Sequence, residues 1–444
     1  MKKRVVYVTI FFLFVFATVF IILSSKKQRT ENKPMFSELL YRSGAATEIA
    51  EWKLVKAKAD ELIKRLKNDP EDKRLLLTLA SLYVNEGRIT GNLSYYNDAA
   101  LKCIETVLKN DPENFEALTF KSMILLSQHK FEDGLAVALQ VQKKYPYNAF
   151  VYGLVIDGNV ELGNYPAALE AADKMVSIRP DLRSYSRIAY LREIHGDIPG
   201  AIEAMKMAVD AGSPGDENTE WCRVQTGKLY EQLGKIKDAA MYYTIAADNR
   251  AHYPYAMAGL ARIAIAEKDL TKAMSMYEKA FSLIPDHTFK EGMSEVYTLM
   301  GQEDKAKNVA NEIMEQLQKI SSGNKDQNED HEMAHAYMGV NNYEKALEYA
   351  LVEYNRRPEN IEVNETVAIV YYAKGEYAKA LPYIETALKT NCKNPELLCH
   401  AGLIYAKSGN NIKAKIFLKE ALKNDPLISI SLKTESREML GSLK

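Results

Sequence analysis

The sequence predicts an all-α protein, a solenoid of stacked antiparallel helix pairs behind an N-terminal membrane-spanning helix. Three observations carry that prediction. Pro112, Pro146, Pro180 and Pro214 recur at a spacing of 34 residues. Small residues return in step ahead of them, at Ala100, Gly134, Ala168 and Ala201. Val5 to Leu23 runs nineteen residues without a charge. The chain has 444 residues, too many for one compact core. Its composition, 47% apolar and 26% charged, is that of a folded protein rather than a disordered one.

The N-terminal element reads Met-Lys-Lys-Arg followed by the uncharged run. At about 1.5 Å per residue it would span roughly 28 Å, close to a bilayer core. The run exceeds the apolar length usual in a cleaved signal peptide, and Ile21-Ile22-Leu23-Ser24-Ser25 offers no small-x-small cleavage site. An uncleaved single-pass anchor is therefore expected. Lys2, Lys3 and Arg4 precede it and Lys26, Lys27, Arg29 and Lys33 follow it. The charge bias is nearly balanced, and a lone leading span of this kind places the bulk of the chain outside the cytoplasm, as in a periplasm.

The remainder is periodic. Asn97, Phe131 and Tyr165 lie fifteen residues before their prolines and Ile198 sixteen before its own, with the small residue three positions on. A small residue lets two helices approach, a large one fills the space between them, and proline ends the second helix. The pattern continues through Gly227, Tyr230, Ala239, Tyr243 and Ala246, then Ala273, Tyr277, Ala280 and Pro285. Gly301 with Ala306, Tyr343 with Ala346, Gly375 with Ala380, and Gly409 with Ala414 complete it.

This combination of small and aromatic positions, a glycine turn and a closing proline resembles the tetratricopeptide repeat family, whose unit is about 34 residues long. About ten units run from Asp72 to Pro426. His129, Lys268 and Asn341 stand where the turn glycine is usual, and Arg88 to Ser94 inserts into the first unit. The segment from Arg187 to Val209 also resembles repeats of uncharacterised bacterial members. The resemblance implies a right-handed superhelix and no cofactor. The boundaries expected are an anchor and juxtamembrane segment at 1–34 and a helical cap or partial repeat at 35–70. About seven units at 71–317 follow, then a polar flexible joint at 318–330, and about three units with a capping helix at 331–444.

Charge and motif narrow the function. Lys plus Arg is 58 and Asp plus Glu 59, so no basic surface argues for nucleic acid. No phosphate loop, nucleophile elbow or paired-carboxylate motif stands out. Cys103, Cys222, Cys392 and Cys399 are too scattered for a disulfide or metal framework. His331-Glu332-Met333-Ala334-His335 fits the zinc-peptidase spacing H-E-x-x-H, which would set two imidazoles on one helical face with a glutamate to polarise water. The motif keeps repeat register through Ala334 and Tyr337, and Glu353, its nearest third ligand, sits late on the paired helix. The expectation is that the chain is not an enzyme. A membrane-tethered zinc hydrolase using His331, Glu332 and His335 is the alternative.

Stacked helix pairs present their first helices on a concave face. Counted from the register, that face holds Asp157, Arg183, Tyr190, Glu193, Trp221, Lys228, Tyr255, Arg262, Glu291 and Glu295, with His331 and His335 beyond. Rings interleaved with both charge signs suit an extended peptide or partner helix. A protein or peptide partner is expected, with the membrane contacted through the N-terminal helix. An envelope polymer is the alternative ligand, and packing between repeats the competing role for Trp221 and Tyr255. The set of Asn and Lys that clamps a chaperone carboxylate tail is not apparent.

Overall fold

The computed structural model describes residues 36–43, 50–323, 328–423 and 428–443. The expected span at Val5 to Leu23 lies outside them. Among the described residues no helix is long and apolar enough to cross a membrane. The chain divides into two units, Met1–Leu39 and Leu40–Lys444, and every described helix belongs to the second.

Among the described residues its regular structure is all helical. Helix α1 (Ala50–Asn68) leads ten pairs. They are α2 (Lys73–Thr90) with α3 (Leu93–Asn110), α4 (Phe115–Ser127) with α5 (Phe131–Lys144), and α6 (Ala149–Glu161) with α7 (Tyr165–Ile178). Next come α8 (Leu182–Ile194) with α9 (Ile198–Asp210), α10 (Glu217–Gln232) with α11 (Ile236–Asn249), and α12 (Pro254–Ala266) with α13 (Leu270–Leu283). The last four are α14 (His287–Leu299) with α15 (Glu303–Gly323), α16 (Asp330–Gly339) with α17 (Tyr343–Arg356), α18 (Ile361–Ala373) with α19 (Tyr377–Ala387), and α20 (Pro395–Lys407) with α21 (Asn411–Ala421). Helix α22 (Ile430–Ser442) closes the array against α20 and α21.

Local chemistry sets the helix ends. Asn114, Asn148, Asp181, Asn360 and Asn394 cap first helices by accepting from backbone N–H groups two or three residues on. Inside each pair the turn needs one left-handed residue, supplied by Gly163, Gly196, Gly234, Gly301, Gly375 and Gly409. His129, Lys268 and Asn341 take the same conformation, with φ of 57°, 65° and 57°, so the turn survives loss of its glycine. The insertion after Arg88 is absorbed by lengthening α2 to Thr90, with Gly91 as its left-handed cap. One boundary differs from expectation. The polar joint expected at 318–330 is helical as far as Gly323, because Val309, Ile313 and Leu317 give α15 a buried stripe that carries the helix onward.

First and second helices bury different amounts of themselves. In α13 the buried residues form a stripe, Ala273, Tyr277, Ala280 and Leu283. In α6 nearly every side chain from Val151 to Val160 is buried, because a first helix is held between its own partner and the preceding pair. First helices also approach the next first helices, as α4 does α6 and α12 does α14. Successive second helices do not come comparably close, which bends the stack and puts the first helices on its inner face.

Aromatic residues set the spacing. The Tyr243 ring is fully buried between Gly227 and Gly259, where an added Cβ would lie 2.4 and 2.5 Å from it. Tyr277 fills the equivalent place against Gly292. A second set stacks within pairs twelve positions apart: Tyr230 on Tyr242, Tyr337 on Tyr349, Tyr371 on Tyr383 and Tyr405 on Phe417, with centroids 5.4 to 5.7 Å apart. These two roles account for nine of the 27 tyrosines.

The superhelix closes on itself. Arg357 reaches Glu161 across a separation of 196 residues, and Ile361 donates its N–H to the Tyr165 hydroxyl over the same separation. His129 meets Asn328, and Arg250 meets Glu51, both 199 residues apart. With a 34-residue unit, one superhelical turn takes about six pairs, and the second turn rests on the first. Gly163 and Gly196 are tight points of that seam, since an added Cβ would lie 2.3 Å from the Glu359 carbonyl at the first and 2.4 Å from the Asn391 carbonyl oxygen at the second.

Candidate functional site: the concave face

The inner face opens into a cavity of about 910 Å³ lined from α2, α3, α4, α6, α8 and α10. Its apolar walls come from Phe115, Phe120, Met123, Phe150, Leu154 and Trp221. Its polar groups are three arginines, Arg88, Arg183 and Arg187, two carboxylates, Glu116 and Asp157, and asparagines including Asn85, Asn148 and Asn218. Asp157 holds Arg187 through two bonds of 2.8 and 2.6 Å. Arg88 pairs with Glu217 at 3.0 Å, donates to the Asn218 side-chain oxygen at 2.6 Å and lies 6.0 Å over Trp221. Arg183 lies 4.9 Å over Phe150 and makes no ion pair among the described residues.

Farther along, the inner face becomes a belt of carboxylates that meet water yet are ringed by protein. Burial pushes Glu193 up, against a 2.5 Å hydrogen bond donated by Gln232. Burial and then Glu365 push Glu362 up. Glu291, Glu295 and Glu396 are likewise raised by burial, with neighbouring carboxylates adding to it. The negative charge of Glu362 and then burial hold the Tyr190 hydroxyl well above its ordinary value, 3.4 Å from Glu362. Tyr190 on α8 and Glu362 on α18 thus join the two superhelical turns at the cavity's inner end.

Three stretches, residues 97–149, 224–286 and 395–426, match family models for the tetratricopeptide repeat. The chain carries tetratricopeptide repeats. The helix pairs between and beyond those stretches share the same turn and packing. No curated protein matches the chain in sequence. Among solved structures, the chain is similar to the APC/C hetero-tetramer Cut9–Hcn1, at 17% identity and a TM-score of 0.44. That match covers 86% of this chain, which spans 60% of the other. A tetratricopeptide repeat protein from Parabacteroides merdae is 16% identical, with a TM-score of 0.34, 59% of this chain and 99% of that one covered. The human IFIT1 dimer with PPP-AAAA is 14% identical, with a TM-score of 0.44 and 84% and 88% covered.

Of the residues expected on the concave face, Asp157, Arg183, Tyr190 and Trp221 line the cavity together. Glu193, Glu291 and Glu295 belong to the carboxylate belt, and burial holds the exposed Lys228 ammonium below its ordinary value. Two others serve the repeat stack. Arg262 donates to Glu231 and to the Tyr243 hydroxyl, each at 3.0 Å. Tyr255 packs against Tyr253 and Phe289 at 5.7 and 5.8 Å. The register count missed Arg88 because the insertion after it hid the end of α2, and missed Arg187 and Phe150, which sit in positions the count passed over.

His331 and His335 lie on α16 with ring centroids 4.8 Å apart. Burial, then His335 and Arg357, hold His331 down to about 3. The His335 Nε2 lies 3.1 Å from the Thr366 hydroxyl. Glu353 is committed to Arg356 and Arg357. Among the described residues no group of three or more His, Cys, Asp or Glu is placed to hold a metal ion, so this donor set does not fit a zinc-hydrolase centre. The four cysteines are buried, and burial pushes the Cys103 and Cys222 thiols to about 12.

The titrating groups predict a stability maximum in mildly acidic solution. Burial and Glu362 raise Glu161 to about 7 despite Arg357, and burial with Glu332 raises Glu329 to about 7. Their contribution is present below the ordinary carboxyl range and lost as pH rises through about 7. The contribution of His331 has the opposite sign, present above the ordinary imidazole value and lost as pH falls toward about 3. Thermal midpoints measured from pH 5 to 8 should be highest at pH 5, fall toward pH 7 because two carboxyls outweigh one imidazole, and level off above it, and Glu161→Gln should lessen that fall. A midpoint that keeps rising to pH 8 would contradict this assignment.

Proposed function

We propose that the chain is a membrane-tethered, non-catalytic scaffold that holds an extended segment of a partner protein on its concave face. The observation that carries the reading is the 910 Å³ cavity, to which the first helices of five successive pairs each contribute side chains. A surface shared by five repeats recognises length and pattern rather than one small molecule, and its rings supply contact area while its polar groups set register. The tether rests on the basic start and the uncharged Val5 to Leu23, with the array outside the cytoplasm.

The test is photo-crosslinking in intact cells from positions Phe120 and Trp221, compared with the convex residue Met241. Cavity positions should yield a discrete set of protein adducts that the Phe115→Ala plus Phe150→Ala variant loses, while Met241 does not share them. Identical adducts from all three positions would defeat the reading. Protease added to spheroplasts should digest the repeats while sparing the anchor; full protection would place the array on the other side.

A further inference from the structure

We infer that the occupant of the cavity is an acidic peptide segment, a carboxylate flanked by apolar side chains, with the carboxylate seated on Arg183. This rests on the scaffold reading and adds the chemistry of the ligand. The three guanidinium groups of the lining differ in what they already hold. Asp157 grips Arg187 through two bonds, and Glu217 and Asn218 occupy Arg88. Arg183 spends its side chain only on the face of Phe150, 4.9 Å away, and is exposed to the cavity. Its nearby carboxylate, Asp181, is taken by Arg179 at 3.1 Å and by the cap of α8.

A guanidinium resting over a ring, as Arg183 rests over Phe150, keeps N–H donors free for a carboxylate. Burial, and after it the neighbouring arginines, hold Arg183 below its ordinary value although Asp181 opposes them, a cost that an anion would relieve. Phe150, Trp221 and Leu154 lie in the same lining, which accounts for the apolar flanks. The one lining carboxylate without an ion pair, Glu116, sits at the start of α4, two pairs away from Arg183, so it does not neutralise the site. A peptide fits better than a polyanion, because a phosphate chain would meet Glu116 and Asp157 along the same wall.

The experiment is selection of a displayed random dodecapeptide library on the detergent-solubilised full chain, with a labelled oligoadenylate titrated in parallel. Selected peptides should be enriched in Asp or Glu next to Leu, Phe or Met. The best of them should bind at least tenfold more weakly to Arg183→Ala, and also when its acidic residue is changed to the amide. Arg183→Lys should fall between, since it keeps the charge and loses the fork. Arg183 is solvent-exposed, so the variant's melting curve should match the parent's. Neutral or basic selected peptides, an Arg183→Ala variant that selects the same set, oligoadenylate binding tighter than any peptide, or no enrichment would each overturn the assignment. If the crosslinked adducts at Trp221 persist in those cases, the scaffold reading stands and only the ligand chemistry falls.

Discussion

Gly163→Ala is expected to destabilise the array far more than Gly375→Ala, although both glycines occupy the same turn. Their φ values are 78° and 75°, so an alanine at either pays about 1–2 kcal/mol for the left-handed conformation. At Gly375 nothing lies within 4 Å of the added Cβ, and the cost stops there. At Gly163 the Cβ would stand 2.3 Å from the carbonyl carbon and oxygen of Glu359 and 2.7 Å from the N of Asn360. Those are backbone atoms and cannot rotate aside, so the two superhelical turns must separate. Overpacking of that kind adds about 1–3 kcal/mol. The expected total is about 2–5 kcal/mol, read as the shift in urea midpoint by circular dichroism. Small-angle scattering should show Gly163→Ala more extended than the parent and Gly375→Ala unchanged. Equal losses in the two variants would mean that the turns do not bear on each other in solution.

Arg357→Ala attacks the same contact through charge. Arg357 is 6% exposed, and its guanidinium lies 4.6 Å over Phe131 and pairs at 2.5 Å with both Glu353 and Glu161. Glu353 lies on α17, whose C-terminus Arg357 caps, whereas Glu161 and Phe131 belong to the preceding superhelical turn. Truncation leaves Glu353 with Arg356 alone and the half-buried Glu161 without its cation, which costs about 1–3 kcal/mol. The loss should be greatest above pH 7 and smaller near pH 5, where Glu161, already raised to about 7, takes up a proton. Hydrogen exchange should speed up at Asn360 to Val363 together with Val160 to Tyr165, since the Tyr165 hydroxyl and the Ile361 N–H are joined across that seam. A pH-independent loss confined to α17 would show that Arg357 acts within its own repeat only.

Much of the helical framework is legible in the residues. The 34-residue return of proline, the alanines of the second helices and the aromatic-against-glycine pairs are local signals, because each is satisfied within one pair or between neighbours. Tyr243 with Gly227 is an instance. The non-glycine turns show how far such signals reach. His129, Lys268 and Asn341 depart from the pattern, yet the hydrogen bonds that close their turns, such as Asp269 N to the Ala264 carbonyl, still form. The cavity was legible in part. Asp157, Arg183, Tyr190 and Trp221 follow from register alone, whereas Arg88 became visible only when α2 was seen to run on to Thr90.

The residues by themselves determined the helix pairs, which helix of each pair faces inward and the balanced charge of the outer skin. They did so because periods of 3.6 and 34 residues are written in side-chain size and polarity over short distances. The tertiary structure alone decided that the second superhelical turn seats on the first. Pitch is the sum of small rotations at successive interfaces, each set by packed side-chain volume, so no single segment encodes it. It is that sum which brings Gly163 under Glu359, joins Arg357 to Glu161 and places Tyr190 beside Glu362 at the inner end of the cavity. The same winding divides the concave face into an aromatic, arginine-bearing cavity and a carboxylate belt, a division that charge counts near zero do not reveal.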